Sequence, residues 1–174
     1  MNPPDPHFKR YSIKEFPSYR YIPGITPHPT EHVQGHSYGK KDADCQILTP
    51  EAWAKNEVYL YGIDLYNYVY WWESHEAFEC LWKKSADDKQ TANFLQGLIK
   101  ISAAFIKWYG KSRRGATYLC EGALEHLEGV RVQSEVYLGL DLKIHLKKLK
   151  KHFKPVMEGQ WSDPFENYPF IILK

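Results

Sequence analysis

Four residues with chemical capacity stand within seven positions of one another: Glu73, His75, Glu76 and Glu79, in the run WWESHEAFECLW at residues 71–82. An imidazole and carboxylates at helical spacing are the groups of general acid–base catalysis and of N/O metal sites in helical bundles. At about 100° per residue, Phe78, Trp71, Trp82, His75, Glu79 and Trp72 share one arc of the wheel, with His75 near its middle. The spacing therefore predicts a buried His–Glu network, because a titratable pair inside an aromatic face must be satisfied by partners. His75 and Glu79, at i and i+4, can converge, with Glu76 at the rim. Glu73 lies nearly opposite His75. The order Glu-x-His-Glu departs from the Glu-x-x-His of di-metal bundles and recurs nowhere else in the chain.

Two readings follow. In one, His75 and Glu79 belong to a structural network that fixes helix packing, with Gln96 reaching it from a neighbouring helix. In the other, His75, Glu79 and Glu76 serve as ligands or base around a divalent transition metal, zinc, nickel or iron, in a hydrolase-like enzyme. Two ligands are too few for a tight site. The second reading therefore needs the proline-rich arm to fold back, so that His28 or His36 completes the set. The structural reading is preferred, since buried polar clusters are more often structural than catalytic.

The elements that must position these residues are helical. Residues 1–48 carry prolines at 3, 4, 6, 17, 23, 27 and 29 and glycines at 24, 35 and 39. That density forbids long helices, while Phe8, Tyr11, Phe16, Tyr19 and Tyr21 can pin such an arm onto a body. Thr49-Pro50-Glu51 reads as a helix start, for a first helix running to about Leu65. Helices are expected at about 70–84, 89–109 and 114–128, with Asp87-Asp88 as a cap and Gly129 as a stop. Gly97 and Ala104 lie seven apart, a spacing that lets another helix approach closely. Asp141 opens a fifth helix that Pro155 ends, and the apolar tail YPFIILK is extended. The fold class is all-α: an antiparallel bundle of about five helices over 49–174, with the irregular arm of 1–48 packed on it and an extended C-terminal tail.

Composition narrows the function classes. Net charge is +2, which argues against a dedicated nucleic-acid binder. No run of about 18 apolar residues crosses a membrane, and no apolar leader opens the chain. Three widely spaced cysteines, Cys45, Cys80 and Cys120, show no disulfide framework, so a cytoplasmic, reducing setting is expected. The segment Lys143–Lys154 holds six lysines and no acid, while residues 42–88 hold ten acids against three lysines. The lysines read as a solvated face. Complementarity between the two regions, within one chain or across a homodimer, can absorb the charge. Lys111-Ser112-Arg113-Arg114 lacks a glycine-rich cradle and reads as a solvated loop.

Tyr66-Asn67, WWESHEAFECLW, Phe94-Leu95-Gln96-Gly97-Leu98-Ile99 and Arg114-Gly115-Ala116 together resemble the signature of the all-helical "domain of unknown function" family 309. The resemblance covers about residues 57–128. The upstream PHPTEHVQGHSYG resembles a leader of longer members. The resemblance implies an all-helical fold and names no reaction. The chain departs from the pattern at Val69, where the family usually has Gly, at Trp71 for Tyr, and at Lys100 for Gln. His32 falls where other polar residues stand and is not counted in any shared site. The function expected is a small helical module that binds a protein or a small ligand, with the metal-assisted enzyme as the alternative.

Overall fold

The computed structural model describes residues 8–40 and 44–174. A single 3-10 turn at Trp53–Lys55 precedes five α-helices: α1 (Glu57–Asn67), α2 (Trp71–Lys83), α3 (Lys89–Tyr109), α4 (Arg113–Gln133) and α5 (Leu142–Met157). Between α4 and α5 lies a two-stranded antiparallel hairpin, β1 (Val136–Tyr137) with β2 (Leu140–Asp141). Each helix packs on the next in chain order, which makes an all-α bundle. No helix among the described residues is long and apolar enough to cross a membrane.

Local chemistry accounts for most boundaries. Asp88 caps α3 by accepting from the backbone N–H groups of Gln90 and Thr91, and Asp141 caps α5 by accepting from Ile144. The first long helix starts later than Thr49-Pro50-Glu51 implies. Asn56 is its cap and accepts from Tyr59 N–H, while the Thr49 region closes only turns. α4 runs through Gly129 to Gln133, and Pro155 sits inside the last turn of α5 rather than ending it. Packing decides the last two cases: Val130 and Val156 are fully buried beyond the expected stops.

The link from α1 to α2 is a Schellman turn. Tyr70 N–H bonds to Leu65 C=O, and Val69 N–H to Tyr66 C=O. The turn places Val69 at φ +69°, the left-handed region. This is the position where the resembled family carries glycine. A β-branched residue there costs about 1–2 kcal/mol, which burial of Val69 against the core offsets.

Phe78, Phe94, Phe105, Trp108 and Phe153 are fully buried large rings of the core. Gly97 permits the close α3–α4 approach, since a Cβ there would stand 2.6 Å from the Leu127 side chain. Tyr66 and Asn67 tie down the tail. The Tyr66 hydroxyl donates to Pro169 C=O at 2.9 Å, and Asn67 exchanges two 2.8 Å bonds with the backbone of Ile171. Trp71 is stacked between Phe105 at 4.7 Å and Phe165 of the tail at 4.9 Å.

Two carboxylates hold the arm. Asp64 of α1 accepts from the backbone N–H groups of Tyr11 and Ser12 at 2.9 Å each and from Arg10 Nε at 3.3 Å. Glu73 of α2 accepts from Tyr21 N–H at 2.8 Å. Phe16 lies against the rings of Tyr68 and Tyr70 between these two points. Cys45 and Cys80 form a disulfide, with Cα atoms 6.2 Å apart, that ties the segment before α1 to α2. The expectation that the cysteines carry no disulfide is thereby corrected, and with it goes the basis for a reducing compartment.

Candidate functional site

α2 presents three sides with different surroundings. Trp71, Ser74, Phe78 and Leu81 are buried toward α1 and α3. Glu73 is buried beneath the arm. His75, Glu76 and Glu79 lie on the solvent side, with side chains 27%, 44% and 32% exposed. The buried His–Glu network expected at His75 and Glu79 is therefore corrected. The core takes the arc centred near Phe78 and Ser74, and the His75–Glu79 flank stands about a quarter turn away. Trp72 and Trp82, which drew that arc toward His75, are only half-buried.

A buried His–Glu pair does exist, between other partners. His36 Nε2 meets Glu73 Oε1 at 3.1 Å, with side chains 8% and 5% exposed. His36 Nδ1 is 2.9 Å from the Ser37 hydroxyl. A neutral ring satisfies both contacts, with Nε2–H donating to the carboxylate and Nδ1 accepting from Ser37. The His36 backbone N–H donates to the Tyr19 hydroxyl at 3.1 Å, which itself donates to Pro27 C=O at 3.0 Å. Gly35 makes this loop possible, since a Cβ there would stand 2.2 Å from Pro29 C=O. His36 thus reaches α2 on the Glu73 side and does not complete a set with His75 and Glu79.

The remaining expected residues are distributed as follows. His28 Nδ1 accepts from Glu31 N–H at 3.3 Å, and its ring lies edge-on to Trp72 and Tyr21. Its hydrogen bonds among the described residues stay within its own loop, and it meets α2 through the ring contact with Trp72. His32 Nδ1 accepts from Gln34 N–H. Gln96 is half-buried on α3, and no hydrogen bond among the described residues joins it to His75 or Glu79. On the solvent side of α2, His75 Nδ1 stands 3.1 Å from Glu76 Oε1, and Glu79 Oε2 accepts from Lys83 at 3.1 Å. One ligand atom from each of His75, Glu76 and Glu79 lies within 4.8 Å of the other two. Lys143, Lys150 and Lys154 of α5 pair with Glu135, Glu128 and Glu158, as a solvated face does.

Burial sets the electrostatics of the inner site. It raises the pKa of Glu73, outweighing the bonds from Tyr21 and His36, and its Oε2 is buried without a partner among the described residues. Linkage gives the sign of the consequence. Folded Glu73 keeps its proton to higher pH than unfolded Glu73, so its contribution favours the fold at low pH and is lost as pH rises through the raised value. Glu73→Gln is therefore expected to gain stability relative to wild type as pH is raised from the ordinary carboxylate range to neutrality, read from urea midpoints. A relative loss over that range would mean that His36 holds the carboxylate ionised.

Three titratable groups, two buried and one half-buried, escaped the sequence reading. Asp64 is one, although an acid inside the apolar run VYLYGIDLY was a visible signal for a buried carboxylate. Burial raises its pKa above the usual range despite its three donors. His145 and His152 on α5 are the others, pushed down by burial to about 3 and about 4, so both are neutral. They lie within the lysine-rich segment Lys143–Lys154. Beside Trp71, a slot lined by Tyr21, Pro23, Ile106, Tyr109 and Phe165 has a volume of about 20 Å³, which is room for one water.

Residues 59–119 match the model of the family described as "Domain of unknown function (DUF309)". The matched span runs from α1 through the start of α4 and contains Glu73, His75, Glu76, Glu79 and Gln96. The arm with His36 and Asp64's backbone partners lies outside it, as do α5 and the tail. No curated protein and no solved structure matches the chain significantly.

Proposed function

We propose that this protein is a non-catalytic helical module that binds a protein or a small ligand. One observation carries the reading: the buried His–Glu pair, His36 with Glu73, is closed over by the arm and spent on holding it. A general base must reach the proton it abstracts in a substrate pose. Here the buried carboxylate faces backbone N–H and imidazole of the same chain, which supports a structural role. The lysine-rich α5 and the acidic stretch before α3 also make a second copy of this chain a partner to test, by sedimentation velocity.

The test of non-catalysis is direct. Ester, phosphoester and amide substrates are offered to wild type and to the His75→Ala/Glu79→Gln double variant, with and without added zinc or manganese. Indistinguishable rates are expected in every arm. Turnover by the wild type that the double variant loses would overturn the module reading in favour of metal-assisted hydrolysis. Metal uptake without turnover would leave it standing.

A further inference from the structure

The geometry points to a divalent transition-metal site on the solvent side of α2, built from His75, Glu76 and Glu79. It goes beyond the module reading, because it gives this surface a ligand of its own.

The donor set is one imidazole nitrogen and two carboxylate oxygens, a combination suited to zinc and its neighbours. Around a tetrahedral ion with bonds of about 2.0–2.2 Å, ligand atoms stand roughly 3.3–3.5 Å apart. His75 Nδ1 and Glu76 Oε1, at 3.1 Å, already stand near that spacing. All three ligand atoms fall within 4.8 Å of one another. Glu79, whose side chain is part-exposed, closes the remainder by a side-chain rotation. Its present partner is Lys83, in an exposed i,i+4 pair of the kind that holds weakly and yields to a stronger cation.

The three stems are pre-placed. They project from consecutive turns of one helix, which Phe78 and Leu81 anchor in the core and the Cys45–Cys80 bond anchors to the preceding segment. Three protein ligands leave a fourth position for water or for a group on a partner. The solvent-side placement that removes His75 and Glu79 from a buried network is what makes the site reachable by an ion.

The experiment uses the full chain and zinc ion alone. Isothermal titration in a non-chelating buffer is run on wild type, His75→Ala, Glu79→Gln and, as a control, His32→Ala, which removes an exposed loop imidazole. Cobalt(II) replaces zinc in a parallel set, read by its visible absorption. One ion per chain is expected for wild type and for His32→Ala, with affinity about tenfold or more weaker in the two α2 variants. Circular dichroism checks that these variants at solvent-facing positions keep the fold. Zinc should raise the melting temperature of wild type and not of the α2 variants. Absence of saturable one-to-one uptake, or uptake that neither α2 variant weakens, would overturn the site.

Discussion

Reduction of the Cys45–Cys80 bond lowers the unfolding free energy by about 4 kcal/mol, the loop-closure entropy restored to the unfolded chain on opening a loop of this length. The bond spans 35 residues, from the segment before α1 to the C-terminal half of α2. At this chain length the loss corresponds to a fall in melting temperature of roughly 8–16 °C. The comparison is wild type with and without reductant, beside the Cys45→Ser/Cys80→Ser double variant, which should melt like the reduced protein in both conditions. Cys120 does not confuse the result. It is buried, and burial pushes its thiol up to about 12, so it offers no thiolate for exchange. Alkylation of unfolded, unreduced protein should find one free thiol of the three. Three free thiols, or a melting temperature indifferent to reductant, would rule the bond out as a stabilising link.

The second large effect belongs to Asp64. Its side chain is fully buried, and its two oxygens receive the backbone N–H groups of Tyr11 and Ser12 and the guanidinium of Arg10. Asp64→Ala leaves those donors facing an apolar wall and is expected to cost about 3 kcal/mol, in the range for losing bonds to a charged acceptor. The corresponding drop in melting temperature is roughly 6–12 °C. The loss falls first on the arm, so trypsin should cut after Lys14 and Arg20 sooner than in wild type. Asp64→Asn keeps one acceptor oxygen but turns an amide N–H₂ toward the second donor, and should rescue only part of the loss. Unchanged melting and unchanged cleavage in Asp64→Ala would show that the aromatic contacts of Phe16 and Tyr11 hold the arm without the carboxylate.

The two effects share a theme with the candidate sites. α2 serves as a post to which separate parts of the chain are tied: the arm through Glu73, the pre-α1 segment through Cys80, and the tail through the stacking of Phe165 on Trp71. What is left of its surface is the His75–Glu76–Glu79 side. The family-matched span carries α2 entire, whereas all three attached segments, the arm, the stretch around Cys45 and the tail, lie outside it.

Local patterning alone determined the helical elements. Apolar periodicity specified α2 and α3 almost to the residue, and Asp88 and Asp141 marked two helix starts because a short acid side chain satisfies orphan N–H groups there. Gly97 announced a close helix approach because nothing larger fits against Leu127. These are short-range rules, written within a turn or two of chain. The first helix starts at the Asn56 cap, while the extent of α4 and the passage of α5 through Pro155 were set by long-range burial, which competes with stops and overrides them. The site was divided in the same way. Residue types and spacing singled out Glu73, His75, Glu76 and Glu79, but a wheel cannot say which arc faces the core until neighbouring helices and the arm are placed. Only tertiary packing decided that His36 pairs with Glu73, that Cys45 meets Cys80, and that His75 with its two carboxylates faces water. The first two are contacts across 35 or more residues, and the third is set by which side of α2 those contacts and the core leave open; all are fixed by how helices and arm pack in three dimensions.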